Sequence, residues 1–205
     1  MNGWSPTPPA GWCNGVRTRS LALAALAACA AATGCTPRFE WREIRVVEDG
    51  FTVALPDRPL AAQRAVDLGD GLRVSMHMTS TGVGATLFAV GVATLPPAAC
   101  AAAAVCQRLL VRVATGLARN LGGVLAAQAP AVITAPPGRQ LHAGWSAQAS
   151  GSVASGTGAT RDARLAVRLF VVDDRLYQVV AIGTPADLEA EALETFFTSF
   201  RILPP

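Results

Sequence analysis

The stretch RLAVRLFVVDDRLYQVVAI, residues 164–182, decides the fold. Apolar residues alternate with other types on both sides of Asp173-Asp174, as in two strands of a sheet joined by a tight turn. We therefore predict an antiparallel hairpin, residues 164–172 and 175–182, at the centre of the sheet. One face of its first strand is predicted to carry Leu165, Val167, Leu169 and Val171.

Other runs of alternating residues predict the strands around this hairpin. In residues 72–80, apolar and polar side chains alternate, so we expect a sheet with one apolar face and one solvated face. Residues 150–160 (SGSVASGTGAT) are rich in Gly, Ser and Thr and predict a mobile hairpin loop. The further predicted strands are residues 41–47, 51–55, 63–68, 72–80, 85–95, 124–127, 132–134 and 139–148.

Two segments change to the helical spacing of three and four. From Cys106 to Leu121 the apolar residues recur at this spacing, which predicts a helix within residues 98–121 that ends at Gly122. A second helix is predicted over residues 185–201, with Thr184 as its cap. These elements predict the α+β class: a single domain, residues 41–203, in which two principal helices pack on an antiparallel sheet.

The N-terminal region has the three parts of a secretory signal peptide. Arg17 and Arg19 precede an apolar run over residues 21–32, and small residues follow. Residues 20–34 would reach about 22 Å as a helix, which is short of the hydrocarbon core of about 30 Å. We predict an export signal at residues 16–34. Residues 1–15, rich in Pro and Gly, are predicted to precede the true start of translation.

The exit from this signal resembles the lipobox of bacterial lipoproteins, in which small residues precede a cysteine that becomes acylated. Ala32-Thr33-Gly34-Cys35 matches at its last three positions. The alternative, Leu26-Ala27-Ala28-Cys29, matches at all positions but would cut inside the apolar run. We therefore favour Cys35 as the site of lipidation, keep Cys29 as the alternative, and predict that residues 35–40 form a lipidated tether.

The remaining cysteines agree with this choice. Processing at Cys35 leaves Cys100 and Cys106 as an even pair, which an oxidising compartment favours as a disulfide. A bridge requires Cys100 to lie in the loop before the helix, because disulfide Cα atoms lie within about 7 Å of each other. The alternative is that both cysteines are small buried apolar residues.

The charge pattern gives no indication of a nucleic-acid partner. The chain has 17 basic residues, all of them arginine, and 14 acidic ones. Removal of the leader takes two arginines and leaves a net charge of +1, whereas nucleic-acid binding calls for a clustered basic surface. One stripe on the first predicted helix could contact anionic lipid or an acidic protein, or could be a solvated face. This stripe is Arg108, Arg112 and Arg119.

No motif predicts catalysis, a metal or another cofactor. Gly144-Trp145-Ser146-Ala147-Gln148 lacks the last glycine of the G-x-S-x-G nucleophile elbow, and its surroundings predict a strand. The two histidines, His77 and His142, have no Cys, Asp or Glu cluster at ligand spacing nearby and are predicted to be solvated strand residues. An undescribed hydrolase using Ser146 or His142 is therefore only a third possibility.

Four segments together resemble a group of uncharacterised bacterial lipoproteins. In that group a G-F-x-V-x-L-P opening, an R-x-Y-Q strand and a terminal F-F-x-S-F helix frame one α/β domain. This pattern is also similar to the opening and closing segments of the Mog1/PsbP-like α/β/α sandwich. The resemblance implies such a fold and assigns no catalytic residue. The segments are WRE (41–43), DGFTVALP (49–56), RLFV with RLYQ (168–171 and 175–178) and FFTSFR (196–201).

These observations predict a lipid-anchored protein of the cell envelope, on the outer membrane and facing the periplasm. Its expected role is non-catalytic: binding, assembly or accessory work with an envelope protein partner. The alternative is a periplasmic carrier of a small apolar ligand, which would need a deep pocket between helix and sheet.

Overall fold

Seven strands pair into one antiparallel sheet in this computed structural model, which describes residues 38–154 and 159–205. The strands are β3 Leu60–Asp67, β4 Arg73–Val83, β5 Thr86–Thr94, β6 Val124–Pro130, β7 Leu141–Ala154, β8 Thr160–Val172 and β9 Arg175–Gly183. Their order is β3-β4-β5-β9-β8-β7-β6, so the hairpin β8–β9 is internal. Val172 pairs with Arg175 across the Asp173-Asp174 turn, and the predicted central hairpin is confirmed.

A smaller sheet joins the two ends of the described chain. It contains β1 (Arg42–Val46), β2 (Phe51–Leu55) and β10 (Arg201–Ile202), with β2 in the middle. The predicted first hairpin is therefore confirmed, but it does not extend the main sheet. The prediction that the last helix reaches Arg201 is wrong, because Arg201 already pairs with Thr52 as a strand residue.

The first helix, α1, spans Ala103–Asn120 and follows a 3₁₀ turn at Pro97–Cys100. It ends as predicted at a glycine, since Gly122 adopts a φ of +62°. The N–H of Gly123 donates to the carbonyl of Ala118 at 2.9 Å, and together these features form a Schellman cap.

The second helix, α2, spans Ala190–Ser199 and begins later than predicted. Thr184 does cap a turn, since its hydroxyl accepts the N–H of Asp187 at 3.2 Å. That turn does not continue into the helix, because Glu189 has extended backbone angles of −64° and 140°. Ala190 is therefore the first helical residue.

Both faces of the central strands are buried, which corrects the prediction of one solvated face. α1 covers β6, β7 and β8 on one face, while α2 and the small sheet pack on the other. The second face is solvated, as predicted, along part of β4, because Arg73, Ser75 and His77 are exposed there. The α1 side buries Leu109, Leu110, Leu165, Val167 and Leu169, and the α2 side buries Phe51, Phe88, Phe170, Tyr177, Phe196 and Phe200. An α+β fold of mostly antiparallel sheet with two helices results, as predicted.

Two predicted local structures are corrected. Most of the predicted loop at residues 150–160 is strand, because β7 and β8 pair as far as Ala154 and Thr160. Only its apex, residues 155–158, lies outside the described residues. The predicted strand at residues 132–134 is absent from the described elements, since that segment crosses irregularly between Pro130 and β7.

The compact unit begins at Arg38 rather than at residue 41. Phe39, within the predicted tether, packs against Trp41 and Phe88, with ring centroids 5.6 Å and 5.9 Å away, and is therefore in contact with the core. The predicted signal peptide, Cys29 and Cys35 lie outside the described residues. No helix in residues 38–154 or 159–205 has both the length and the hydrophobicity to cross a membrane.

Candidate functional site

An open groove lies on the main sheet beside α2. α1 covers one face of β6, β7 and β8, whereas α2 and the small sheet cover only part of the opposite face. The uncovered part forms a cavity of about 740 Å³. The pairing of β10 with β2 fixes the end of α2, and Phe196 of α2 packs on Phe88 of β5. The helix therefore lies nearer to β5 and β9, and the groove is left beside it.

The floor of the groove consists of three neighbouring strands whose side chains here are mostly small, with Arg168 and Gln148 as the large ones. Directly paired residues of antiparallel strands share a face. Ser146 pairs with both Ala129 and Arg168, which places the three in one row across the sheet. Gln148 and Ala166 form the next row. The short side chains leave space above the sheet that larger residues would fill.

Among the described residues that line this groove, Arg168 is the basic one. It is half-buried, and its guanidinium carbon lies 4.7 Å from the centroid of the Phe197 ring on α2. Burial lowers the pKa of Arg168 from its ordinary value. Among the described residues, no carboxylate lies within 4.0 Å of its guanidinium group.

Among the other partly buried arginines of the described chain, two have acidic partners, whereas Arg175 donates to the backbone carbonyl of Glu48. Arg139 lies 3.0 Å from Asp173, and Arg112 forms an ion pair with Asp70. Arg168 differs because an aromatic ring, and no carboxylate, lies over its guanidinium group. A ring face attracts the cation but carries no net charge to neutralise it.

A smaller cavity of about 310 Å³ shares part of its lining with the groove. Val132, Arg168, Phe197 and Thr198 line both. Arg201 also lines this second cavity, where its guanidinium donates to the backbone carbonyls of Thr198 and Phe200, the latter at 2.9 Å. Among the described residues that line the two cavities, the one acidic residue is the exposed Glu194, in the larger cavity.

Ser146 is placed for structure rather than for nucleophilic attack. It lies inside β7, and its hydroxyl donates to the carbonyl of Ala129 at 3.1 Å. A nucleophile elbow instead requires a sharp turn between a strand and a helix. His142 lies on the same strand, and no hydrogen bond joins it to Ser146 among the described residues.

His77 has a partner that the sequence did not indicate. Its Nδ1 lies 2.9 Å from Oδ1 of Asp49, in the β1–β2 turn. The Tyr177 hydroxyl donates to the carbonyl of Asp49 at 3.1 Å, and Arg175 donates to that of Glu48 at 3.0 Å. These bonds fasten the turn to the main sheet. Asp49 and His77 are far apart in sequence, so spacing could not reveal the pair.

The predicted arginine stripe is not a uniform free surface. Arg108 and Arg119 are exposed, but Arg112 is held by Asp70 at the β3–β4 turn. Its aliphatic carbons pack over Gly69, where an added Cβ would come within 2.4 Å of Cδ. The middle member of the stripe is therefore committed to the fold.

Cys100 and Cys106 are joined by a disulfide, with Cα atoms 4.6 Å apart. Cys100 lies in the 3₁₀ turn and Cys106 in the first turn of α1, which meets the condition stated from the sequence. The bridge fastens the start of α1, whose N-cap residue Ala102 makes no side-chain hydrogen bond. Within the part of the chain that the structure describes, no group of three His, Cys, Asp or Glu residues could hold a metal ion.

No family model matches the chain, and no curated protein is similar enough to count as a relative. The groove and its unneutralised arginine are therefore the features that bear on function. The sequence missed both Arg168 and Phe197: the first occupies an ordinary polar position in an alternating strand, and the second belongs to a phenylalanine-rich helix expected to face the core.

Proposed function

We propose that this chain is a non-catalytic binding protein of the cell envelope that holds its ligand or partner in the groove around Arg168. The observation that carries this proposal is a half-buried arginine that lines an open groove and has no carboxylate within 4.0 Å among the described residues. A charge removed from water without an opposite charge destabilises the protein that contains it. An anionic group bound in the groove would remove that cost.

The proposed location rests on the N-terminal sequence. An export signal followed by an acylated Cys35 would anchor the chain in the outer membrane, facing the periplasm. Thr36 is not the aspartate that retains lipoproteins at the inner membrane in the group that this leader resembles. Labelling of cells with a clickable palmitate analogue tests the anchor. Cys35→Ala should abolish labelling and Cys29→Ala should preserve it, whereas labelling that survives both substitutions would rule the anchor out.

We also propose kinship with the Mog1/PsbP-like sandwich. Its support is that the opening and closing segments on which the resemblance rests pack on one another. Phe51 and Phe200 have ring centroids 5.9 Å apart, and Ile202 pairs with Phe51. Helices on both sides of the sheet are also what an α/β/α sandwich requires.

A second candidate, the carrier of a small ligand, is favoured by the size of the groove. Its volume of about 740 Å³ falls within the usual range of small-molecule sites. The groove is open and contains a cation, which suits a charged ligand better than a wholly apolar one. A hydrolase has less support, because the Ser146 hydroxyl is engaged within the sheet.

Site-directed photocrosslinking in cells tests the binding function. Gln148 is exposed beside the groove, and it would be replaced in the full chain by p-benzoylphenylalanine. The matched control is the same replacement at Gln63, which is exposed on β3 at the opposite edge of the sheet. Irradiation should give a defined adduct, protein or small molecule, at position 148 and none at 63. Equal labelling at the two positions, or none at 148, would contradict the proposal.

A further inference from the structure

The two cavities that meet at Arg168 differ in character. The smaller one is lined by two arginines, Arg168 and Arg201, and by no acidic residue from the described part of the chain. Its other walls are largely apolar and include Phe170 and Phe200. An anion placed there would meet positive charge in surroundings of reduced polarity, where electrostatic attraction is stronger than in water.

The larger cavity offers an apolar path away from the same arginine. Leu193 and Phe197 of α2 form one wall, and Val132, which is 87 % exposed, also lines the cavity. Alanines contribute much of the floor between them. Val132 is a large apolar side chain with little contact in the free protein, so contact with an alkyl chain would favourably remove its surface from water.

We infer that the groove binds amphiphilic anions, each with a carboxylate or phosphate group at Arg168 and a single alkyl chain along the wall formed by Leu193 and Phe197. This inference rests on the proposed binding function and names the class of ligand. A guanidinium group suits the anion because its planar fork can donate two parallel hydrogen bonds to a carboxylate or phosphate. The Phe197 ring supports that plane from one side.

Other ligand classes fit the same features less well. A neutral apolar molecule would bury Arg168 further without neutralising it, and a cation would be repelled. A nucleic acid would need several clustered basic residues, whereas the larger cavity has Glu194 in its lining. A small inorganic anion would leave the apolar wall unused.

Calorimetric titration of the full chain in lipid nanodiscs tests the inference, with empty nanodiscs as the blank. The probes are octyl phosphate, octanoate, octyltrimethylammonium and inorganic phosphate. At least one of the two octyl anions should bind, and a comparison of the two identifies the preferred head group. Octyltrimethylammonium should not bind, and inorganic phosphate should bind at least about tenfold more weakly than the better octyl anion. Equal binding of the octyl cation, or of inorganic phosphate, would overturn the inference.

Substitutions test whether Arg168 forms the binding site for the anion. Arg168→Met should weaken binding of the better octyl anion at least about tenfold, and Arg168→Lys should weaken it less because the charge remains. Arg164→Met is the matched control, since Arg164 is exposed on the same strand and at the same side of the sheet. Circular dichroism confirms that each variant is folded. Equal losses for Arg168→Met and Arg164→Met would overturn the assignment.

The two proposals fail in different ways. A protein adduct at position 148 without binding of either octyl anion would refute the inference that the ligand is an amphiphilic anion, and it would leave the proposed binding function intact. Absence of both adduct and binding would refute the binding function itself. Neither result depends on which cysteine carries the anchor.

Discussion

The guanidinium group of Arg168 lies over the ring of Phe197, with 4.7 Å between the guanidinium carbon and the ring centroid. The contact connects β8 to α2 and holds a cation where the two cavities meet. A cation–π contact contributes about 0.5–2 kcal/mol, which offsets part of the cost of burying the charge. The ring does not neutralise the positive charge, and the proposed selectivity for anions depends on that charge.

Removal of this charge should not destabilise the fold. Arg168→Met keeps an unbranched apolar side chain, although a shorter one, beside Phe197 and removes an unneutralised charge. We expect a free energy of unfolding that is unchanged or up to about 1 kcal/mol higher. Urea denaturation measures it. The contrasting variant is Arg139→Met, which breaks an ion pair with Asp173 and should cost about 2 kcal/mol. Equal destabilisation by both variants would mean that Arg168 is structural.

The aromatic core beneath α2 should depend on Phe200 far more than on Phe197. Phe200 is 2 % exposed and contacts the rings of Phe51, Phe170 and Tyr177. Phe200→Ala should lower the free energy of unfolding by about 3–5 kcal/mol. Phe197→Ala should lower it by about 1 kcal/mol, because its ring is half-buried. Chemical denaturation compares them, and similar losses would show that Phe197 belongs to the core.

The disulfide should stabilise the start of α1 through the short loop that it closes. Reduction of the bond between Cys100 and Cys106 should lower the free energy of unfolding by about 2 kcal/mol, since short loops give small entropic gains. Thermal denaturation with and without reductant measures the change. The double variant Cys100→Ala with Cys106→Ala is the control and should not respond to reductant. An unchanged wild-type transition would argue against a bridge in solution.

The turn of the central hairpin should lose stability in acid. Burial alone would raise the pKa of Asp173. The hydrogen bonds that its carboxylate accepts from the Gln140 backbone and from Arg139 have the larger combined effect, so its pKa is lowered. A lowered folded-state pKa means that the unfolded chain binds the proton more readily. The stabilisation is therefore present above about pH 4 and is lost as the pH falls through the folded-state value. Asp173→Asn should lower stability at pH 7 and flatten its decline below pH 5. Asp174→Asn is the neighbouring control, and an unaltered pH profile for Asp173→Asn would refute this account.

The sequence predicted those elements whose residues interact locally. The alternation in residues 164–182 was sufficient for the β8–β9 hairpin, and the helical spacing with a glycine stop was sufficient for α1. The start of α2 was predicted wrongly because Thr184 caps a turn that Glu189 then interrupts. Nothing in the local pattern distinguishes a capped turn from a capped helix.

The groove could not be predicted because it depends on contacts between distant segments. Arg168 occupies a polar position of an alternating strand, and such a position faces water unless another element lies above it. Here α2 lies beside it, placed by the pairing of β10 with β2. The pair of Asp49 and His77 escaped prediction for the same reason.

Crystallography with a heavy-atom ligand tests the central claim most directly. The full chain would be crystallised with 8-bromooctyl phosphate and data collected at the bromine absorption edge. We predict phosphate density at the guanidinium group of Arg168 and a bromine peak along the wall formed by Leu193 and Phe197. A saturating ligand that binds elsewhere and leaves the groove around Arg168 empty would contradict the account.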